Sequence, residues 1–160
     1  MSEKKDSSTN DIDFSADSND QKDEYKGWLT FAMMDYESAK YLNEAPILPK
    51  PLNVICFHCQ QAAEKAVKAL IVYLGNQGGM PKSHDISFLL NQIKNLLLSK
   101  KGIEIKPELI MTANYLSKFG IAPRYPNEIE VDEYHARKAL SDSEALLKWV
   151  TEAMGMPDLN

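Results

Sequence analysis

The sequence predicts an all-α protein, an up-and-down antiparallel bundle of four long helices plus a shorter one. Three observations predict it. From Tyr25 onward apolar residues return every three to four positions, the period of one helix face. Proline and glycine clusters cut that pattern into five stretches. No run alternates apolar and polar residues convincingly with period two, so no strand is expected.

The elements follow in chain order. Residues 1–24 are rich in Ser, Asp, Asn and Lys, with Ile12 and Phe14 as their only large apolar side chains after Met1. Such a segment cannot offset its own ordering entropy, so a disordered acidic tail is expected there. It reads either as a solubilising tail or as a short docking motif around Ile12 and Phe14. The first helix carries Trp28, Phe31, Ala32, Met34, Ala39 and Leu42 at helical steps and stops at Pro46, Pro49 and Pro51. The second, over 52–74, has a stripe of Ile55, Ala62, Ala66, Ala69, Leu70 and Tyr73. Val54 and Phe57 lie on another side, so its first half reads as buried nearly all round. Its alanines allow close helix approach, and Gly75 stands where a helix commonly ends in a left-handed turn.

A third helix follows Ser83 or Asp85 and presents Ile86, Leu89, Leu90, Ile93 and Leu97 before fraying over Ser99–Gly102. Pro107 suits the first position of a shorter fourth helix, in which Leu109, Ala113 and Leu116 share a face and which Gly120 stops. The loop around Arg124 and Tyr125 holds two prolines. The last helix runs from about Glu130 to Ala153, and Ala136, Ala139, Leu140, Leu147 and Val150 line it. The expected folded body is 25–155, with 156–160 a disordered end.

Composition narrows the function. The chain has 160 residues, one domain's worth, and no apolar run approaches a membrane span. No apolar segment follows the first lysines, so no secretory signal is read, and only Cys56 and Cys59 occur. A reducing cytoplasm is the simplest location. Residues 1–24 hold eight acids against three lysines, the whole of the chain's net charge of −5, and residues 25–160 are neutral. Arg124 and Arg137 are the only arginines, so no duplex-DNA binding is expected. Phosphate-loop, dinucleotide-binding and zinc-protease motifs are missing. Cys56 and Cys59 lack the further ligands a zinc site needs and read as small buried residues; no metal or cofactor is expected.

Several polar residues remain. His58, Gln61 and Lys65 share one face of the second helix and must be satisfied, either by neighbouring helices or a second copy, or by a phosphate or base. Gln60, Glu64 and Lys68 stand four apart and read as a solvated face. Arg124 and Tyr125 sit between Pro123 and Pro126, which would present them at low entropic cost. A guanidinium suits phosphate and a phenol ring stacks on a base. The alternative has Arg124 capping a helix while Tyr125 fills the core. His135 and Arg137 open the last helix; with Arg124 folded back, His135 and Arg124 form a candidate general base and charge stabiliser. His84 reads as a cap or a groove residue.

Four segments, in this order and spacing, resemble the HEPN (higher eukaryotes and prokaryotes nucleotide-binding) family. They are F-H-C-Q-Q-A-A-E-K (Phe57–Lys65), K-S-H-D-I (Lys82–Ile86), R-Y-P (Arg124–Pro126) and Y-H-A-R-K-A-L (Tyr134–Leu140), within a likeness over roughly 26–153. The resemblance implies a helical bundle that commonly dimerises and is often encoded beside a small nucleotidyltransferase, as in toxin–antitoxin modules. Many members are metal-independent ribonucleases with Arg, four to six residues, then His. Here the one Arg-before-His pair, Arg124 and His135, has ten residues between them, so that motif is absent. The expectation is therefore a non-catalytic module that binds a nucleotide or RNA, through Arg124, Tyr125, His58, Gln61, Lys65, His135 and Arg137, or that partners a nucleotidyltransferase. The alternatives are a ribonuclease with a displaced Arg/His pair and a purely structural oligomerisation protein.

Overall fold

A computed structural model describes residues 18–76, 78–120 and 130–157. The proposed docking motif at Ile12 and Phe14, the Arg124–Tyr125 loop and residues 158–160 lie outside them. The described residues form five helices and no strand: α1 (Ser18–Glu44), α2 (Leu52–Leu74), α3 (Ile86–Lys101), α4 (Pro107–Ser117) and α5 (Glu133–Ala153). Each helix packs on the next along the chain, and α2 touches all four others. No described helix is long and apolar enough to cross a membrane.

Local signals end the helices largely as expected. Gly75 takes φ 69° and its N–H caps α2 by bonding the Ile71 and Val72 carbonyls. The Asp85 carboxylate accepts the Phe88 N–H and starts α3. Pro107 opens α4. Asp132 caps α5, whose first residue, Glu133, is three beyond the expected start.

Five expectations change. The boundary at residue 24 falls inside α1, which extends back to Ser18; helix propagation adds a bond per residue once a packed core has nucleated it. The α1 core stripe is Leu29, Ala32, Tyr36 and Ala39, while Phe31 and Met34 are exposed. The all-round burial of α2 lies in its middle and second half, from Ala62 to Ile71, whereas Val54 is exposed. There α2 passes between its neighbours, and Ala62, Ala63, Ala66 and Ala69 let them approach. The end of α3 does not fray: it runs to Lys101 and Gly102 closes it at φ 66°. Met156, placed in the disordered end, packs on the core.

The α5 cap yields a prediction. Asp132 accepts the His135 N–H at 3.0 Å, and the His135 ring accepts the Asp132 N–H in return. Asp132→Ala is expected to lower the urea midpoint measurably, because the His135 N–H then loses its N-cap acceptor.

Candidate functional site

Two polar clusters are built on α2. The first is Gln60, Glu64 and Lys68, and it overturns the expected solvated face: all three are buried, Gln60 completely. Because α2 is central, its polar side meets protein. The linker before α3 and the turn after α4 close over it. Glu64 accepts from Lys68 Nζ at 2.7 Å and from Gln60 Nε2 at 2.8 Å, and lies 3.0 Å from His84 Nδ1. Gln60 also donates to the His84 carbonyl at 3.3 Å, and Gln61 donates to Gln60 Oε1 at 2.7 Å. Lys68 Nζ stands 5.6 Å from the Trp28 ring centre, which adds a cation–π contact. Burial alone would push the Glu64 carboxyl up, but the hydrogen bonds from Lys68, Gln60 and His84 outweigh it and hold it below the ordinary carboxylate range.

His84 is the exposed member. Its side chain is 81% accessible, against 5% for Glu64. The local sequence explains its position. Asp85 caps α3, Ile86 is buried beneath it, and the Ile86 N–H bonds Ser117 Oγ at 3.0 Å at the end of α4. The peptide between is therefore held at both ends, and its imidazole turns onto Glu64. With Nδ1 on the carboxylate, Nε2 is the ring nitrogen left to meet solvent or a ligand. Gly120 closes the same corner: a side-chain carbon there would stand 3.2 Å from the Gln60 amide. Gly120, which stands against Gln60, is the last described residue before 121–129.

The second cluster is Asp35, His58 and Lys65. His58 Nδ1 lies 2.9 Å from Asp35 Oδ1, and Lys65 donates to Asp35 Oδ2. The three are partly buried between α1 and α2, and His58 lines a shallow hollow with Glu37, Ser38, Tyr41 and Leu42.

The expected site residues are thus distributed. His58 and Lys65 meet on Asp35, while Gln61 joins the other cluster through Gln60. His135 caps α5, so its ring is engaged at Asp132. Arg137 is exposed, 3.8 Å from Glu133. Arg124 and Tyr125 lie outside the described residues. The residues missed were Glu64, Lys68 and Gln60. Their i, i+4, i+8 row runs beside the His58, Gln61 and Lys65 row on the same helix, and its spacing alone does not separate a buried face from a solvated one. Cys56 and Cys59 are fully buried, and burial pushes their thiols up to about 12 and about 11, which makes them poor nucleophiles.

Fold and site together define a helical-bundle module whose buried polar network reaches the surface at one histidine. The HEPN domain family model matches residues 25–153, and the chain belongs to that family. Two solved structures share the fold. An archaeal HEPN homologue, ST0689, is 26% identical with a TM-score of 0.61, covering 81% of this chain and 97% of that one. TT1696 from Thermus thermophilus is 24% identical with a TM-score of 0.65, covering 82% and 98%. No curated protein matches the chain.

Proposed function

We propose that the chain is a cytoplasmic nucleotide- or RNA-binding HEPN module, in which the ligand meets the outer edge of His84. One observation carries the reading: an imidazole that is mostly exposed yet fixed by a buried carboxylate. A side chain oriented in advance loses little entropy on binding. Among the described residues, the outer nitrogen of His84 makes no hydrogen bond. Arg124 is four residues beyond Gly120, so it lies no more than about 14 Å from that corner by chain length. Phosphate binding by its guanidinium and base stacking by Tyr125 extend the same site. The resemblance adds a small nucleotidyltransferase as the partner this module serves, in a two-component arrangement.

The test is equilibrium binding of nucleotides and short single-stranded RNAs to the wild type, His84→Ala and Arg124→Ala. Each substitution is expected to weaken binding at least tenfold, about 1.4 kcal/mol. Wild type that binds neither ligand rules out the binding role and leaves partner docking. The ribonuclease alternative on Arg124 and His135 finds His135 engaged in the α5 cap; a different ribonuclease reading draws on His84, since a carboxylate-held imidazole is how a general base is oriented. Cleavage of total RNA that disappears in His84→Ala would establish it.

A further inference from the structure

The end of α3 and the link to α4 are basic. Between positions 94 and 106 stand Lys94, Lys100, Lys101 and Lys106 against the single acid Glu104, an excess of three positive charges within a body that is neutral as a whole. Lys100 and Lys101 bond the neutral Leu74 carbonyl and Tyr73 hydroxyl, which leaves their charge unmatched. The same stretch borders a groove of about 660 Å³ between α3 and α4. Asn91, Lys94, Asn95 and Leu98 line it from α3, and Ile110 and Met111 from α4. Its apolar surface is open: Leu98 is 53% exposed and Met111 70%. Asn91 and Asn95 are exposed amides that both donate and accept, which suits the peptide groups of an extended segment.

The groove lies at the end of the bundle where α1 begins. Tyr25 sets its ring edge-on to Tyr73 at 5.2 Å, and the Tyr73 hydroxyl accepts from Lys101, the last residue of α3, at 2.9 Å. Ahead of α1 stand residues 1–17. The stretch nearest the helix, Asp11–Asp17, holds three acids and no base, together with Ile12 and Phe14. Its charge is thus equal and opposite to that of the 94–106 stretch, and its two large apolar side chains match the uncovered Leu98 and Met111. Phe14 and Ile12 are four and six residues ahead of Ser18, spans of up to about 14 and 20 Å. Such a segment cannot order alone. A preformed groove supplies the apolar surface that it lacks, and attachment to the same chain raises its effective concentration to the order of millimolar.

We infer that residues 11–17 dock in the α3–α4 groove of their own chain, with Ile12 and Phe14 against Leu98 and Met111 and the three aspartates toward the lysines. The groove uses none of the His84 corner, so this inference stands or falls separately from the proposed ligand site.

Peroxide oxidation of the full chain, read peptide by peptide by mass, tests it, because methionine oxidation follows exposure. Met111 is expected to oxidise about threefold faster in the double variant Ile12→Asp with Phe14→Asp than in wild type. Met34, 57% exposed on α1, should oxidise equally in both. The two substitutions precede α1, so helical circular dichroism should not change. A second measurement uses disulfide closure, which the fully buried Cys56 and Cys59 do not disturb. Phe14→Cys with Leu98→Cys should close within one chain about tenfold faster than Phe14→Cys with Tyr134→Cys. Tyr134 opens α5, whose far end, at Met154, is the one that meets Tyr73. Lys94→Glu with Lys106→Glu should slow the first closure. Equal Met111 oxidation in wild type and variant overturns the inference, as do equal closure rates for the two cysteine pairs. Disulfides that form between chains and fade on dilution assign the groove to a second copy, and Met111 protection that appears only with added RNA assigns the lysines to a polyanion; both outcomes also overturn it.

Discussion

Glu64→Ala is expected to destabilise the fold by about 3–5 kcal/mol, measured by urea unfolding at pH 7, because it leaves the buried Lys68 ammonium without its carboxylate. That is a large share of the roughly 5–15 kcal/mol by which a domain of this size is stable. It also removes the acceptor of the Gln60 amide and the His84 ring, so the linker before α3 keeps the bond from Gln60 to the His84 carbonyl but loses the one through the His84 ring. The pH dependence has a definite sign. The Glu64 carboxyl sits below its ordinary value in the folded chain, so its contribution is complete above the unfolded value of about 4.3 and disappears as pH falls through the lower folded value. The gap between wild type and variant should therefore be constant above about pH 5 and close on further acidification. A substitution costing under 1 kcal/mol at pH 7 would show that the network is not buried as described.

The second large effect separates the two faces of α1. Leu29→Ala is expected to cost about 2–4 kcal/mol, since Leu29 is 7% exposed and lies within the core. Phe31→Ala, which removes a larger side chain two residues away, should stay within about 0.5 kcal/mol in dilute solution. A cost for Phe31→Ala that grows with protein concentration would reflect association through α1, by mass action. Equal costs at all concentrations would mean that the helix is rotated from its described face.

That contrast shows where sequence reading stopped. In α3, every residue named for the core face, Ile86, Leu89, Leu90, Ile93 and Leu97, is fully buried, because these five recur at steps of three and four on one face, whereas Phe88 and Leu98 stand singly on the exposed side and form no competing stripe. In α1, apolar residues occupy two stripes, and periodicity cannot say which one meets α2. The Gln60–Glu64–Lys68 row failed for a related reason. Its spacing suits a solvated ion pair and a buried one equally, and only the closing of His84 and Gly120 over it separates the two.

The helices, the breaks between them and the family were thus legible in the chain, since period, prolines, glycines and caps act over a few neighbouring residues, while the start of α1 and the end of α3 were not. Which side of each helix is inside, and that His84 ends up on a carboxylate twenty residues away, were decided by packing. Those contacts join residues that are distant in sequence, and their energies exist only once the helices have met.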